Sequence, residues 1–264
     1  MKKSVLAIFA LVAILVAGCG SGEEVELRLK PKEGDKYKVK MNMDMTMDAM
    51  MMQMDMNIGM DYSMEVNNVA ENGDVSFATV FEDMRFDVDG LDGILGGSDE
   101  LSGLMGNNPL EAVIGKEMSM VLSSRNGIIE SPDLGEYLDD AQGMDADQMD
   151  RFYEQMFAFY PEEAVAVGAE WDAKYKVEEN GMNMTVKTIY TVSEITDKMV
   201  KVDLGGEVTG SGLAEVSGKI EGHMNINRED GMVTEVVLDQ MLEMSIMGLG
   251  TSINTEMDMT CEKQ

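Results

Sequence analysis

Apolar and polar residues alternate along most of this chain, the period expected of β-strands with one covered face. Tyr37, Val39, Met41, Met43, Met45 and Met47 share one phase, and Lys38, Lys40, Asn42, Asp44, Thr46 and Asp48 the other. A second run carries Met52, Met54, Met56, Ile58, Met60, Tyr62, Met64 and Val66 in phase, with Gly59 in its middle predicting a bend or bulge. Glu71-Asn72-Gly73-Asp74 marks a turn, and a third strand is predicted over Val75 to Val88. Asp89 to Asn108 is rich in Gly, Asp and Ser and reads as a long loop. Met118, Met120 and Leu122 alternate again, and Arg125-Asn126-Gly127 closes a hairpin onto Ile128-Ile129.

The period changes in the middle of the chain. Ser131-Pro132-Asp133 is a helix start, with Pro at the first helical position, and a short helix is predicted to Asp140. A second helix is predicted from Asp145 to Tyr160, because Met149, Phe152, Tyr153, Met156, Phe159 and Tyr160 form one apolar stripe that Pro161 ends. Alternation then resumes in runs beginning at Trp171, Met182, Met199, Ala214, Val236 and Leu249. The pattern predicts a mainly β fold: a strongly curved antiparallel sheet or unclosed barrel of about ten strands, with one or two helices packed on its concave face.

The start of the chain predicts export. Met1-Lys2-Lys3 precedes an apolar run from Val5 to Ala17, of signal-peptide length and short for a membrane span. Val16-Ala17-Gly18-Cys19 resembles the lipobox of bacterial lipoproteins. That resemblance implies cleavage after residue 18 and diacylglyceryl attachment to the Cys19 sulfur. The predicted organisation is a signal peptide over 1–18, a lipidated Cys19 with a tether over 19–24, and one β-rich domain over 25–264. Within that domain two similar halves, 25–130 and 165–264, are joined by a helical segment, 131–161. No Asp follows Cys19, which by resemblance to Gram-negative sorting favours the outer membrane, facing the periplasm, in a host that has one.

Composition narrows the partners. The net charge is −30, and loss of Lys2 and Lys3 with the signal makes it more negative. Such a surface repels nucleic acid, so none is expected as a partner. Of the two cysteines, acylation of Cys19 leaves Cys261 without a partner, on the apolar phase of the last strand, as an inert buried thiol. His223, the only histidine, falls on the polar phase, and the nucleophile-elbow, phosphate-loop and zinc-pair motifs are missing from the sequence. The expectation is a protein that is not an enzyme and needs no cofactor.

The two halves open alike, at Gly34-Asp35-Lys36-Tyr37 and at Gly168-Ala169-Glu170-Trp171. With the Asn126-Gly127 hairpin, and Pro161 ahead of residues 165–171, this resembles an uncharacterised family of bacterial lipoproteins with duplicated strand halves. More distantly it resembles the half-barrel carriers that move lipoproteins and lipids across the periplasm. The resemblance implies the fold.

Methionine is the compositional anomaly: there are 29, with ten between Met41 and Met60. Met is flexible and polarisable and adapts to irregular apolar partners. One expectation is therefore a lipid or other apolar ligand, or a partner protein, held on the Met-rich concave face, with Met43, Met54, Met56, Tyr62, Phe152, Met156 and Trp171 as lining. A second is a thioether site for Cu(I) or Ag(I) at Met41, Met43 and Met45. A third is a structural envelope protein with a filled core.

Overall fold

The structure, a computed structural model, describes residues 23–49, 52–89, 113–131, 160–179, 182–246 and 249–264. Eleven strands are present: β1 (Lys36–Ala49), β2 (Met52–Val69), β3 (Val75–Asp89), β4 (Glu117–Leu122), β5 (Ile128–Glu130), β6 (Glu170–Glu179), β7 (Met182–Ile195), β8 (Met199–Gly212), β9 (Glu215–Asn227), β10 (Val233–Ile246) and β11 (Leu249–Lys263). They form one antiparallel sheet in the order β5-β4-β3-β2-β1-β11-β10-β9-β8-β7-β6. Each half is a meander, and the first strand pairs with the last along Tyr37↔Lys263 to Ala49↔Thr251. Cys19 and most of the two predicted helices lie outside the described residues, as do Phe152 and Met156.

The sheet is curled, and the N-terminal segment shows how far. The Leu29 amide donates to the Ser124 carbonyl in the β4–β5 turn, and the next amide, Lys30, donates to Asp230 in the β9–β10 turn. Those strands are five spacings apart in the sheet order, about 24 Å if it were flat. Two consecutive amides can reach both turns only if the sheet wraps around them. Tyr160 bridges the same gap: its amide donates to Arg125 and its hydroxyl to the Gly231 carbonyl, at 2.7 Å.

This defines a closed end. Val25, Leu27 and Leu29 alternate inward from the N-terminal segment and pack with Tyr37, Val66, Phe77, Leu122, Tyr160, Val192 and Val202 in one core. A helix was expected to fill the concave side. Among the described residues the filling comes from the extended segment 25–31 and Tyr160, and no helix packs there. Val25, Leu27 and Leu29 repeat at period two, so an extended chain, not a helix, offers all three to one face.

The halves enter the sheet through matching geometry. Gly34 (φ 82°) donates to the Val66 carbonyl and Val66 donates back to Asp35; Gly168 (φ 86°) and Ala169 do the same with Val192. Only glycine adopts such φ values without strain. One bulge follows each contact. Asn67 is left unmatched between the Val66↔Phe77 and Asn68↔Ser76 pairs, and Ser193 between Val192↔Val202 and Glu194↔Lys201.

Gly59 does not mark the bulge expected of it. Its pairing with Arg85 is regular, and the Arg85 guanidinium lies over it, 2.7 Å from where a Cβ would stand. The bulge nearby is in β3, where Glu82 is unmatched between Asp61↔Asp83 and Tyr62↔Phe81. It lets Phe77 and Phe81, then Met84, Phe86 and Val88, face the same side although their phase shifts by one residue.

A polar clasp seals the closed end. The buried Asp230 carboxylate accepts from the Tyr37 hydroxyl at 2.9 Å and from the Met232 amide at 3.1 Å. Lys263 lies 2.7 Å from Asp35 and 3.6 Å from Asp230. Burial, then the Asp230 charge, hold the Tyr37 phenol above its ordinary range, so it stays a neutral donor. Cys261 is buried nearby, and burial with the same carboxylate pushes its thiol up to about 12. The folded protein is therefore expected to resist alkylation at Cys261 at pH 8 and to react stoichiometrically once denatured; rapid labelling of the native protein would contradict this packing.

Candidate binding face

The concave face changes character along the strands. At the closed end its side chains are buried in the core just described. Toward the hairpin tips, across β2–β1–β11–β10, its rows read Ile58–Met43–Met257–Leu238, then Met56–Met45–Thr255–Gln240, then Met54–Met47–Ile253–Leu242. Of these twelve, Thr255 is buried and the rest are half-buried. Among the described residues, Met43, Met45, Met47, Met54 and Met56 belong to none of the packed clusters. Among the described residues nothing packs over them as a cluster, and they form an apolar wall on the concave face.

The opposite wall is closely packed. Val186, Val208, Ala214, Val216 and Ile220 form a cluster that Tyr175, Met184, Leu238, Leu242 and Met244 join. Glycines alternate with large side chains on this wall: Gly218 faces Leu242 and Val208, and Gly222 faces Leu238 and Leu204. A Cβ on Gly222 would stand 2.2 Å from the Val237 carbonyl oxygen, and one on Gly218 2.4 Å from a Leu242 methyl. The missing side chains let β9 and β10 approach and coil more tightly than ordinary residues allow.

Of the predicted lining, the structure places Met43, Met54 and Met56 together on the open wall. Tyr62 stands apart at the margin of the core, against Phe81 with ring centroids 5.4 Å apart. Trp171 stacks on Tyr190 at 5.4 Å and 11° and packs on the core across the sheet. Met45, Met47 and Met257 belong to the wall as well. Their phase was visible in the sequence, but their neighbours depend on strand pairing. Of the alternative metal trio, Met43 and Met45 are half-buried while Met41 is only 2% exposed.

The convex face is polar and strongly acidic. Asp44, Glu256, Asp239 and Glu221 lie directly opposite one another across β1, β11, β10 and β9. Like charges in register repel, while pairs such as Lys38–Glu82 at 2.8 Å offset part of this. Raising ionic strength from about 0.01 to 1 M shortens the screening length from about 30 to 3 Å. The thermal midpoint is expected to rise over that range, and a midpoint that falls would contradict the repulsion. His223 sits on this face, half-buried between Asp203 and Val237. Among the described residues no three His, Cys, Asp or Glu side chains converge as a metal site.

Comparison with known proteins adds a family match over part of the chain and a likeness of fold. Residues 140–233 match the model of a family of unknown function (DUF6263), a span that holds β6 to β9. No curated protein matches the sequence. Among solved structures, the chain is similar to lipovitellin, in a structure describing its lipid–protein interactions. The TM-score is 0.53 at 9% identity, over 88% of this chain and 25% of that one. The chain thus spans a quarter of the length of that protein, and the likeness is one of fold. An outer-membrane channel from Pseudomonas putida F1 aligns at a TM-score of 0.27 and 9% identity, over 89% of this chain and 97% of the channel.

Proposed function

We propose that this chain is a non-enzymatic binding protein of the cell envelope, anchored by lipid on Cys19, that holds an apolar ligand against its Met-faced concave wall. The observation that carries the reading is the run of half-buried Met, Ile and Leu side chains on β1, β2, β10 and β11, on the inner side of a curled sheet that is closed at one end. Apolar side chains left half-exposed in a concavity gain by covering about 25 cal/mol per Å² of surface removed from water. Methionine suits a ligand of variable shape, such as an acyl chain, because its side chain repacks at little cost. The fold likeness to lipovitellin, whose structure describes lipid–protein interactions, supports the same class of ligand. The lipobox Val16-Ala17-Gly18-Cys19 supports the anchor, and two acyl chains provide stable attachment where one does not.

Native mass spectrometry of the mature protein tests the ligand. A co-purifying mass in the lipid range, or binding of an apolar fluorophore that such a lipid displaces, is expected. A bare protein that binds no apolar probe would end this reading. The intact mass of protein extracted from membranes tests the anchor separately, through acylation at Cys19.

A further inference from the structure

We propose that Met45, Met47, Met54 and Met56 form a thioether site for a soft monovalent cation of the Cu(I)/Ag(I) class. The register brings these residues together in a way that the count of methionines does not. Met45 lies directly opposite Met56 and Met47 directly opposite Met54. Opposed Cβ atoms on adjacent antiparallel strands stand about 4.5–5.5 Å apart, and successive same-face residues about 7 Å apart along a strand. Four thioethers thus occupy the corners of a small quadrilateral on one face. Three rotatable bonds in each side chain allow the sulfurs to turn toward a common centre.

The cluster has edges. The next row toward the closed end pairs Met43 with Ile58, and the next toward the tip pairs Ala49 with Met52. On the β11 side Met45 and Met47 face Thr255 and Ile253, and on the β3 side Met56 faces Val88. All four methionines are half-buried, neither sealed in the core nor fully exposed to water.

The chemistry selects the ion. Thioether sulfur is a soft, neutral donor that prefers Cu(I) and competes poorly for hard cations. Asp55 between Met54 and Met56, and Asp44 and Asp48 flanking Met45 and Met47, place carboxylates on the opposite face of the same two strands. With a net charge of −30 on the chain, the surroundings favour a cation arriving at a site whose own ligands carry no charge. This site shares Met54 and Met56 with the proposed apolar lining but does not depend on a lipid being bound.

The test uses the mature protein, with Ag(I) as silver nitrate in chloride-free buffer and Cu(I) under ascorbate against a chromogenic Cu(I) chelator. One ion per chain is expected for each. M45L/M47L/M54L/M56L keeps the apolar volume and removes the sulfur. It is expected to bind both ions at least tenfold more weakly. M184L/M244L, on β7 and β10, is expected to leave ion binding unchanged. If the fourfold variant does not fold, M45L/M54L carries the same expectation. Wild-type protein that binds neither ion, or a Leu variant that binds them as tightly as wild type, would overturn the site. Fluorophore binding by the wild-type protein in that case would leave the apolar-ligand reading standing.

Discussion

Replacing Gly231 by alanine is expected to destabilise the protein by about 4 kcal/mol, combining the strain of a positive φ with a backbone overlap. Gly231 has a φ of 71°, and a Cβ there would stand 1.8 Å from the Arg28 carbonyl oxygen and 2.6 Å from its carbon. Neither atom is the end of a side chain that could turn away. The methyl group fits only if the N-terminal segment lifts off the β9–β10 turn, which breaks the hydrogen bond from the Lys30 amide to the Asp230 carbonyl and exposes Leu27 and Leu29. For a domain of this size the midpoint should fall by roughly 10 °C. Trypsin should also cut the variant at Arg28 or Lys30 under conditions where the wild-type chain resists. In the wild type the Arg28 guanidinium is engaged by the Pro161 and Glu162 carbonyls. An unchanged midpoint with no new cleavage would mean that the segment does not close this end.

The closed end illustrates what the sequence could and could not convey. Strands were legible because one face of nearly every one is covered, so alternation survives from Tyr37 to Cys261. The pairing of β1 with β11 was not legible. It joins residues more than 200 positions apart, as in Tyr37↔Lys263, and no local preference encodes it. The β3 bulge was concealed by its own success: because Glu82 is extruded, the apolar phase shifts by one residue and reads as noise in a single strand. Val25, Leu27 and Leu29 carried a signal, a short alternation ahead of the first strand, whose role as the filling of the concavity depends on turns distant in the chain. The methionine wall was legible as a phase, and its neighbours became definite only with the register. Met45 opposite Met56 follows once Ala49 is paired with Met52.

The Met-faced wall should respond in the opposite way to mutation, losing function before stability. Met257→Glu is expected to weaken binding of an apolar probe at least tenfold, about 1.4 kcal/mol or more, while changing stability by less than about 1 kcal/mol. Met257 lies between Met43 and Leu238 on the concave wall and is half-buried. Met257 is only half-buried, so its carboxylate replacement keeps a route to water and the fold tolerates it. An apolar ligand covering the wall would have to strip that water from an unpaired charge, which is costly. Met241→Glu is the matched control. Met241 lies on β10 with 55% of its surface exposed, in the phase opposite to Leu242, on the convex face. It adds the same charge to the same chain and should leave probe binding unchanged. Equal losses in the two variants would trace the effect to net charge and remove the concave wall as the binding surface. Loss in Met257→Glu alone would locate the ligand between β1 and β10, on the side of the sheet that the methionines line.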